Sequence, residues 1–287
     1  MKQFIIAVSF FISISSYTQE KKLENSTLWK IEGKDLESPS YLFGTIHITC
    51  EATLDEEVKR ALQETKQLVL EIDMDDPEMQ KKMVIGMNMK DGKKLRDLVS
   101  EKELALIDTL FTNEMGMSVK MFQTVKPGLL YAMFLPKMLD CNSNSYEAVL
   151  MNNAKDNEEE ILGLETVKDQ MNIFEIIPYE EQVKNLVKTA KDGLQKDKEM
   201  LKELQEVYQN EDISGLLELM NDEEYNPLKD YDDVMLSDRN ENWIPKIIEF
   251  ANDKPTFFGV GAGHLAGEKG VINLLRAKGY TVTPVME

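Results

Sequence analysis

The chain has 287 residues, with 33 Lys+Arg against 52 Asp+Glu for a net charge of −19, and only two histidines and two cysteines. An acidic chain with no visible basic patch repels a polyanion, which argues against nucleic-acid binding. Hydrophobic content of 42% with 30% charged residues is ordinary globular composition, so neither a disordered chain nor a multi-span membrane protein fits.

Residues 1–18 read as a secretory signal peptide. Lys2 supplies a minimal positive region, Phe4 to Ile14 is an apolar run, and Ser15, Ser16 and Thr18 are small residues suited to cleavage. The run is shorter than the roughly 20 residues a membrane span needs, and no cysteine follows it to carry a lipid. Cleavage after Thr18 removes one Lys and no acid, leaving 32 − 52 = −20 on a chain secreted to the periplasm or the outside, with no stable membrane span. An uncleaved N-terminal anchor is the alternative. In an oxidising compartment Cys50 and Cys141 are expected to form a disulfide across a separation of 91 residues.

Short apolar runs of strand type follow in chain order at Leu28 to Ile31, Tyr41 to Gly44, Gln67 to Ile72, Ile161 to Leu164, Thr256 to Val260 and Tyr280 to Val285. Leu54, Val58, Ala61 and Leu62 are spaced for one helical face, so the N-terminal part reads strand, helix, strand. Thr256 to Val285 repeats that plan, with a helix over Glu268 to Lys278. Such units favour parallel pairing through right-handed crossovers. Asp76-Pro77 reads as a helix start, and Glu180 to Asn210 as one long amphipathic stretch with a solvated charged face. Met79, Met83 and Met87 fall four apart on one face, which reads as core filling; an adaptable apolar binding surface is the other reading. The expected fold is α/β: a core sheet built from N- and C-terminal βαβ units, with a large helical insertion or cap in the middle. Residues 19–287 form one domain on this reading, with core segments 28–75 and 250–287 plus a strand near 160–165, and cap segments about 76–158 and 172–245.

The two histidines share a local frame. His47 ends Gly44-Thr45-Ile46-His47 and His264 ends Gly261-Ala262-Gly263-His264, each directly after a strand run. At ordinary glycine frequency, both histidines would find a glycine three residues earlier in roughly 0.5% of cases. Glu71 and Glu165 close two other strand runs, and an acid there needs solvent, a partner or a cation. For Glu71 the structural alternative is a buried pairing with a helix amide or a base, and for Glu165 it is capping of the next segment. Arg239 shares a face with Met235, Trp243 and Ile247, so it points inward toward a site carboxylate or a substrate oxyanion, a structural salt bridge being the plainer role. Pro245 bends that helix or marks its first turn. Two histidines with one or two glutamates match the ligand types of a divalent-metal site, and the same groups also suit metal-free acid–base work.

Taken in order, these segments resemble the TraB/GumN family: Trp29-Lys30-Ile31, Tyr41 to His47, Leu70-Glu71, Gly163-Leu164-Glu165 with Gln170, Arg239-Asn240 with Trp243, and Gly261 to Leu265. They span nearly the whole mature chain. The resemblance implies an α/β core with an inserted helical region, as in erythromycin esterase and the haem-binding ChaN protein, and a site at His47, Glu71, Glu165, Arg239 and His264. The family includes TIKI proteins, described as metal-dependent proteases with paired GxxH motifs, and pheromone-shutdown proteins that limit peptide signalling. The leading expectation is therefore a secreted metal-dependent hydrolase of peptide bonds. One divalent ion is held by His47, His264 and Glu71, with Glu165 as a further ligand or the base, and Arg239 steadies a carboxylate or oxyanion. A metal-free esterase or lactonase, and a non-catalytic protein that sequesters a peptide or haem-like ligand, are the alternatives. The partner is in each case a peptide or small molecule.

Overall fold

The structure, a computed structural model, describes residues 22–33 and 36–286, and the expected signal peptide lies outside the described residues. The chain order is β1 (Leu28–Glu32), β2 (Ser40–Thr45), α1 (Glu56–Gln63), β3 (Gln67–Ile72), α2 (Met79–Gly86), α3 (Glu101–Met115), α4 (Pro127–Ala132), α5 (Leu135–Met138) and α6 (Tyr146–Asp156). It continues with β4 (Glu160–Glu165), α7 (Val167–Ile176), α8 (Tyr179–Asp192), α9 (Gln195–Gln209), α10 (Ile213–Met220), α11 (Asp238–Asp253), β5 (Thr256–Gly261), α12 (Val271–Ala277) and β6 (Thr281–Pro284).

The six strands form one mixed sheet in the order β4-β3-β5-β2-β1-β6. The mixed α/β class and the six strand runs expected from the sequence are present. The pairing differs from expectation in one respect. Neither strand-helix-strand unit closes on itself, because β5 from the C-terminal unit inserts between β2 and β3, and β6 pairs antiparallel with β1 at the far edge. Both sides of β5 are taken, by β2 and β3, while β1 pairs antiparallel with the other side of β2. The two ends of the chain are thereby woven into one sheet.

Both sheet faces are covered, which explains the near-continuous apolar runs. Leu42, Val69, Phe258 and Trp29 point to the side packed by α10, α11 and α12, in a cluster with Ile213, Trp243, Ile247 and Leu275. Tyr41, Phe43, Leu68, Leu70 and Phe257 point to the other side, against Val58, Leu62 and Leu150 of α1 and α6. A further apolar cluster lies among the helices, with Ile107, Phe111, Leu130, Phe134, Val183 and Leu186 at its centre.

Three local expectations need correction. The stretch from Glu180 to Asn210 is two helices, because Gly193 at φ +80° ends α8. Asp76-Pro77 lies in a turn where Asp76 Oδ1 accepts from the Glu78 amide at 2.8 Å, and α2 begins two residues later, at Met79. No residue of α2 is buried, so Met79, Met83 and Met87 do not fill the core. Pro245 sits inside α11, which runs on past it. The Cys50–Cys141 disulfide is present, with the α-carbons 5.6 Å apart. Among the described residues no helix is long and apolar enough to cross a membrane.

Candidate functional site

The register of the parallel strands places the sequence motifs beside one another. Thr45 pairs with Gly261, and Ile72 pairs with Glu165. The carboxyl ends of β4, β3, β5 and β2 therefore lie along one edge of the sheet, the usual place for a ligand in an α/β fold. They carry Glu165, Glu71, the Gly261–His264 turn and the Gly44–His47 turn in that spatial order. Gly44 permits the two turns to pack, since a side chain there would meet Leu265 Cδ1 at 2.6 Å and the Ala262 backbone at 3.1 Å.

Arg239 is the hub at the Glu165 end of this row. It follows a π-helical turn at Asp233–Ser237, a local irregularity often found at functional sites. Its Nε donates to both Glu165 carboxylate oxygens at 3.2 Å, and Nη2 donates to Glu165 Oε1 at 2.6 Å and Glu71 Oε2 at 2.5 Å. Nη1 donates to Met235 O at 2.9 Å and faces His264 Nε2 at 3.0 Å. The inward arginine thus finds carboxylates, with its guanidinium 4.7 Å from the Trp243 ring centre. The Trp243 indole donates to Glu165 Oε2 at 3.1 Å, and Thr166, not Glu165, caps α7.

Glu71 is buried and fully engaged on one oxygen. Gln170 Nε2 donates to its Oε2 at 3.1 Å, while the Gly261 amide donates to Oε1 at 2.8 Å. Burial pushes its carboxyl up, but the charges of His264, Arg239 and His47 and the Gly261 amide outweigh burial and hold it well below the usual carboxylate range. His264 is 5% exposed and lies 4.4 Å from the Trp243 ring. Its Nδ1 is 2.6 Å from Asn240 Oδ1, and because Asn240 Nδ2 donates to Lys269 O at 2.9 Å, that oxygen is the acceptor. Burial drives His264 down to about 3, with Arg239 adding to the effect against the pull of Glu71. Its Nε2 is thus a bare acceptor for Arg239 at neutral pH.

His47 is built the opposite way. Its side chain is 67% exposed and its Nδ1 lies 2.9 Å from Glu147 Oε1, which also accepts from Thr45 Oγ1 at 2.7 Å. The Glu147 bond, assisted by the charge of Glu71, raises His47 to about 9. The sequence reading missed Glu147, which sits in the first turn of α6 and reads there as an ordinary acid complementing the helix dipole. The available signal was the cysteine pair, because a Cys50–Cys141 bridge brings residues 141–147 beside the His47 turn. The Thr49 and Asn144 amides complete the alignment, each donating to the other's carbonyl, at 3.0 and 2.7 Å.

Gly261 marks where these groups converge. A Cβ placed there would lie 3.3 Å from Glu71 Oε1, 3.3 Å from His47 Nε2 and 3.6 Å from His264 Cδ2. Both histidines and the central glutamate therefore close around the Gly261 α-carbon, each within contact distance of a single added methyl.

The family model described as TraB/PrgY/gumN matches residues 27–284. The chain belongs to the TraB/PrgY/gumN family. No curated protein and no solved structure gives a significant match. All five residues that the sequence singled out in this TraB/PrgY/gumN chain stand along one sheet edge, and they divide into two groups. Glu165, Arg239 and His264 form a charge-compensated cluster whose Glu165 and Arg239 line a cavity of about 360 Å³, whereas His47 stands exposed at the other end, with Glu71 between. Among the described residues no three metal-ligating side chains already stand at ligating spacing. His47 Nε2 and Glu71 Oε1, the latter already accepting from the Gly261 amide, are the ligand-type atoms nearest Gly261, and His264 Nε2 joins them only where Arg239 Nη1 gives up its contact.

Proposed function

We propose that this TraB/PrgY/gumN family protein is an exported hydrolase that opens a peptide or ester bond over Gly261, assisted by one divalent metal ion. Convergence of His47 Nε2 and Glu71 Oε1 on the side-chain-free Gly261 carries the reading. Charge supports it: Arg239 pairs with Glu71 and Glu165, Glu147 adds a third carboxylate at His47, and a bound cation would take the place of the Nε2 proton that these acids hold on His47 to about 9. His47 and Glu71 would hold the ion, and Glu147 fixes the His47 ring through Nδ1, the orientation a ligating imidazole requires. Such an ion supplies Lewis acidity and a more acidic bound water.

The chain's own groups do the remaining work. Gly261 leaves room for the scissile carbonyl to approach the backbone. Arg239 keeps Glu71 ionised and aimed, and Glu165 with Trp243 fixes Arg239. His47, when no ion is bound, exchanges a proton at Nε2, so the Glu147–His47 pair also serves a metal-free hydrolase whose rate climbs as pH rises toward about 9. The signal-like leader and the disulfide support export.

The test combines calorimetric titration of untagged protein with Zn²⁺ and Mn²⁺ and turnover of a peptide and ester panel before and after chelation. One equivalent bound in the wild type and lost in His47→Ala, with chelator-sensitive turnover, is expected. Gly261→Ala should melt close to wild type and lose at least tenfold in kcat/KM, because its methyl fills the reacting space. Chelator-resistant turnover with an alkaline limb sinks the metal and leaves the metal-free hydrolase. No turnover of any panel member under either condition sinks both.

A further inference from the structure

A cavity of about 230 Å³ lies against the turn that carries His47, with Ile46 in its lining. The rings of Phe43, Tyr146 and Tyr208 form its wall, and Glu51, Asp55 and Glu211 stand among its lining residues. The Phe43 and Tyr146 ring centres are 5.5 Å apart in an edge-on arrangement, and those of Tyr146 and Tyr208 are 5.8 Å apart. Among the described residues that line it there is no Lys, Arg or His.

Glu51 and Glu211 are held by neutral donors, and Asp55 receives no cap bond from the helix it precedes. Thr53 Oγ1 donates to Glu51 at 2.8 Å, and the Thr27 hydroxyl donates to Glu211 at 2.8 Å. Glu211 keeps a left-handed φ of 54°, a conformation that costs a non-glycine residue and tends to persist where function needs it. The acids are electrostatically close to the aromatic wall. Burial first, then the charges of Asp55, Glu51 and Glu211, makes the Tyr146 phenol harder to ionise, against a hydrogen bond with Tyr208. Aromatic faces combined with carboxylates suit an organic cation, which gains both ring quadrupole and charge attraction. The volume is below the roughly 300–1,000 Å³ of pockets that enclose a whole drug-sized ligand, so it suits one side chain.

Its position ties it to His47. Ile46 and Tyr146 line the cavity, and their chain neighbours His47 and Glu147 form the hydrogen-bonded pair beside Gly261. Consecutive α-carbons are about 3.8 Å apart, so the cavity begins within one residue of His47. Tyr208 Oη also donates to Gly44 O at 2.9 Å, fixing the aromatic wall to the same turn.

We propose that this cavity is a specificity subsite that receives the guanidinium or alkylammonium side chain of the substrate whose carbonyl lies over Gly261. The claim rests on the hydrolase reading for its catalytic consequence, but the binding itself can be measured alone. Nα-acetyl-arginine methylamide and its neutral citrulline counterpart are titrated calorimetrically into the full mature chain, the wild type and the Glu51→Gln/Asp55→Asn double variant. The arginine probe should bind at least tenfold more tightly than the citrulline probe. The double variant, with an unchanged thermal midpoint, should bring the two within about twofold. Equal binding by wild type overturns the subsite, as does a double variant that keeps the preference. Glu71→Gln, impaired in turnover, should still prefer arginine. Selective binding without hydrolysis of arginine esters or peptides defeats the hydrolase reading alone. Turnover of norleucine and arginine esters at equal kcat/KM, with no binding preference, defeats the subsite alone.

Discussion

His47 and His264 end matching motifs at neighbouring strand ends, yet their surroundings drive them to opposite protonation states. His47, open to solvent and bonded to Glu147, is raised to about 9, whereas buried His264 beside Arg239 is lowered to about 3. The consequences for folding have opposite signs. The His47 contribution is complete below the unfolded value of about 6.5 and disappears as pH rises through about 9; solvent screening keeps it small. For His264 the unfolded chain binds a proton that the folded chain refuses, so stability falls as pH drops from about 6.5 toward about 3. With two histidines in the chain, imidazole NMR resolves both. One ring should titrate near 9 and the other stay silent between pH 5 and 9, and Glu147→Gln should bring the first down toward about 6.5 while leaving the second silent. Two rings titrating near the ordinary value in the wild type would remove the assigned roles of Glu147 at His47 and of burial at His264.

At the level of elements, the site depends on a strap that belongs to neither strand. The Cys50–Cys141 bridge and the reciprocal Thr49–Asn144 amide bonds join the turn after β2 to the start of α6, and so set Glu147 against His47. Replacing both cysteines by serine should cost about 2–4 kcal/mol of stability, since the bridge closes a loop of 91 residues. Urea unfolding measures that loss, and the same variant should show the His47 titration moving down. A full stability loss with an unmoved His47 would mean the strap is structural only. This strap also explains what could be read beforehand. The strand ends and their Gly-x-x-His turns are local patterns, so His47, Glu71, Glu165 and His264 were legible, and Arg239 was legible from its helical face. Glu147 was not, because its meaning comes from a contact 100 residues away in the chain. The interleaving of β5 between β2 and β3 was hidden for the same reason: strand type is a property of a short run, whereas β5 finds both its neighbours in strands from the other end of the chain.

Across the whole molecule, one electrostatic field has two consequences that salt should separate. The chain carries −19, and like charges spread over a compact surface repel one another, lowering the stability of the folded state. The same excess concentrates cations at clefts lined by carboxylates, as the cavity of Glu51, Asp55 and Glu211 is. Added salt shortens the screening length from about 30 Å at 0.01 M to about 8 Å at 0.15 M, so both effects weaken together. Thermal midpoints should therefore rise between 0.01 and 0.15 M NaCl by about 2–4 °C, the shift that roughly 1 kcal/mol produces in a chain of this size class. Over the same range the affinity for the acetyl-arginine probe should fall severalfold, while that for the citrulline probe stays level. Opposite responses of stability and cation binding identify the net field as their common source. A falling midpoint would mean that local ion pairs, such as Arg239 with Glu71 and Glu165, dominate over the global repulsion.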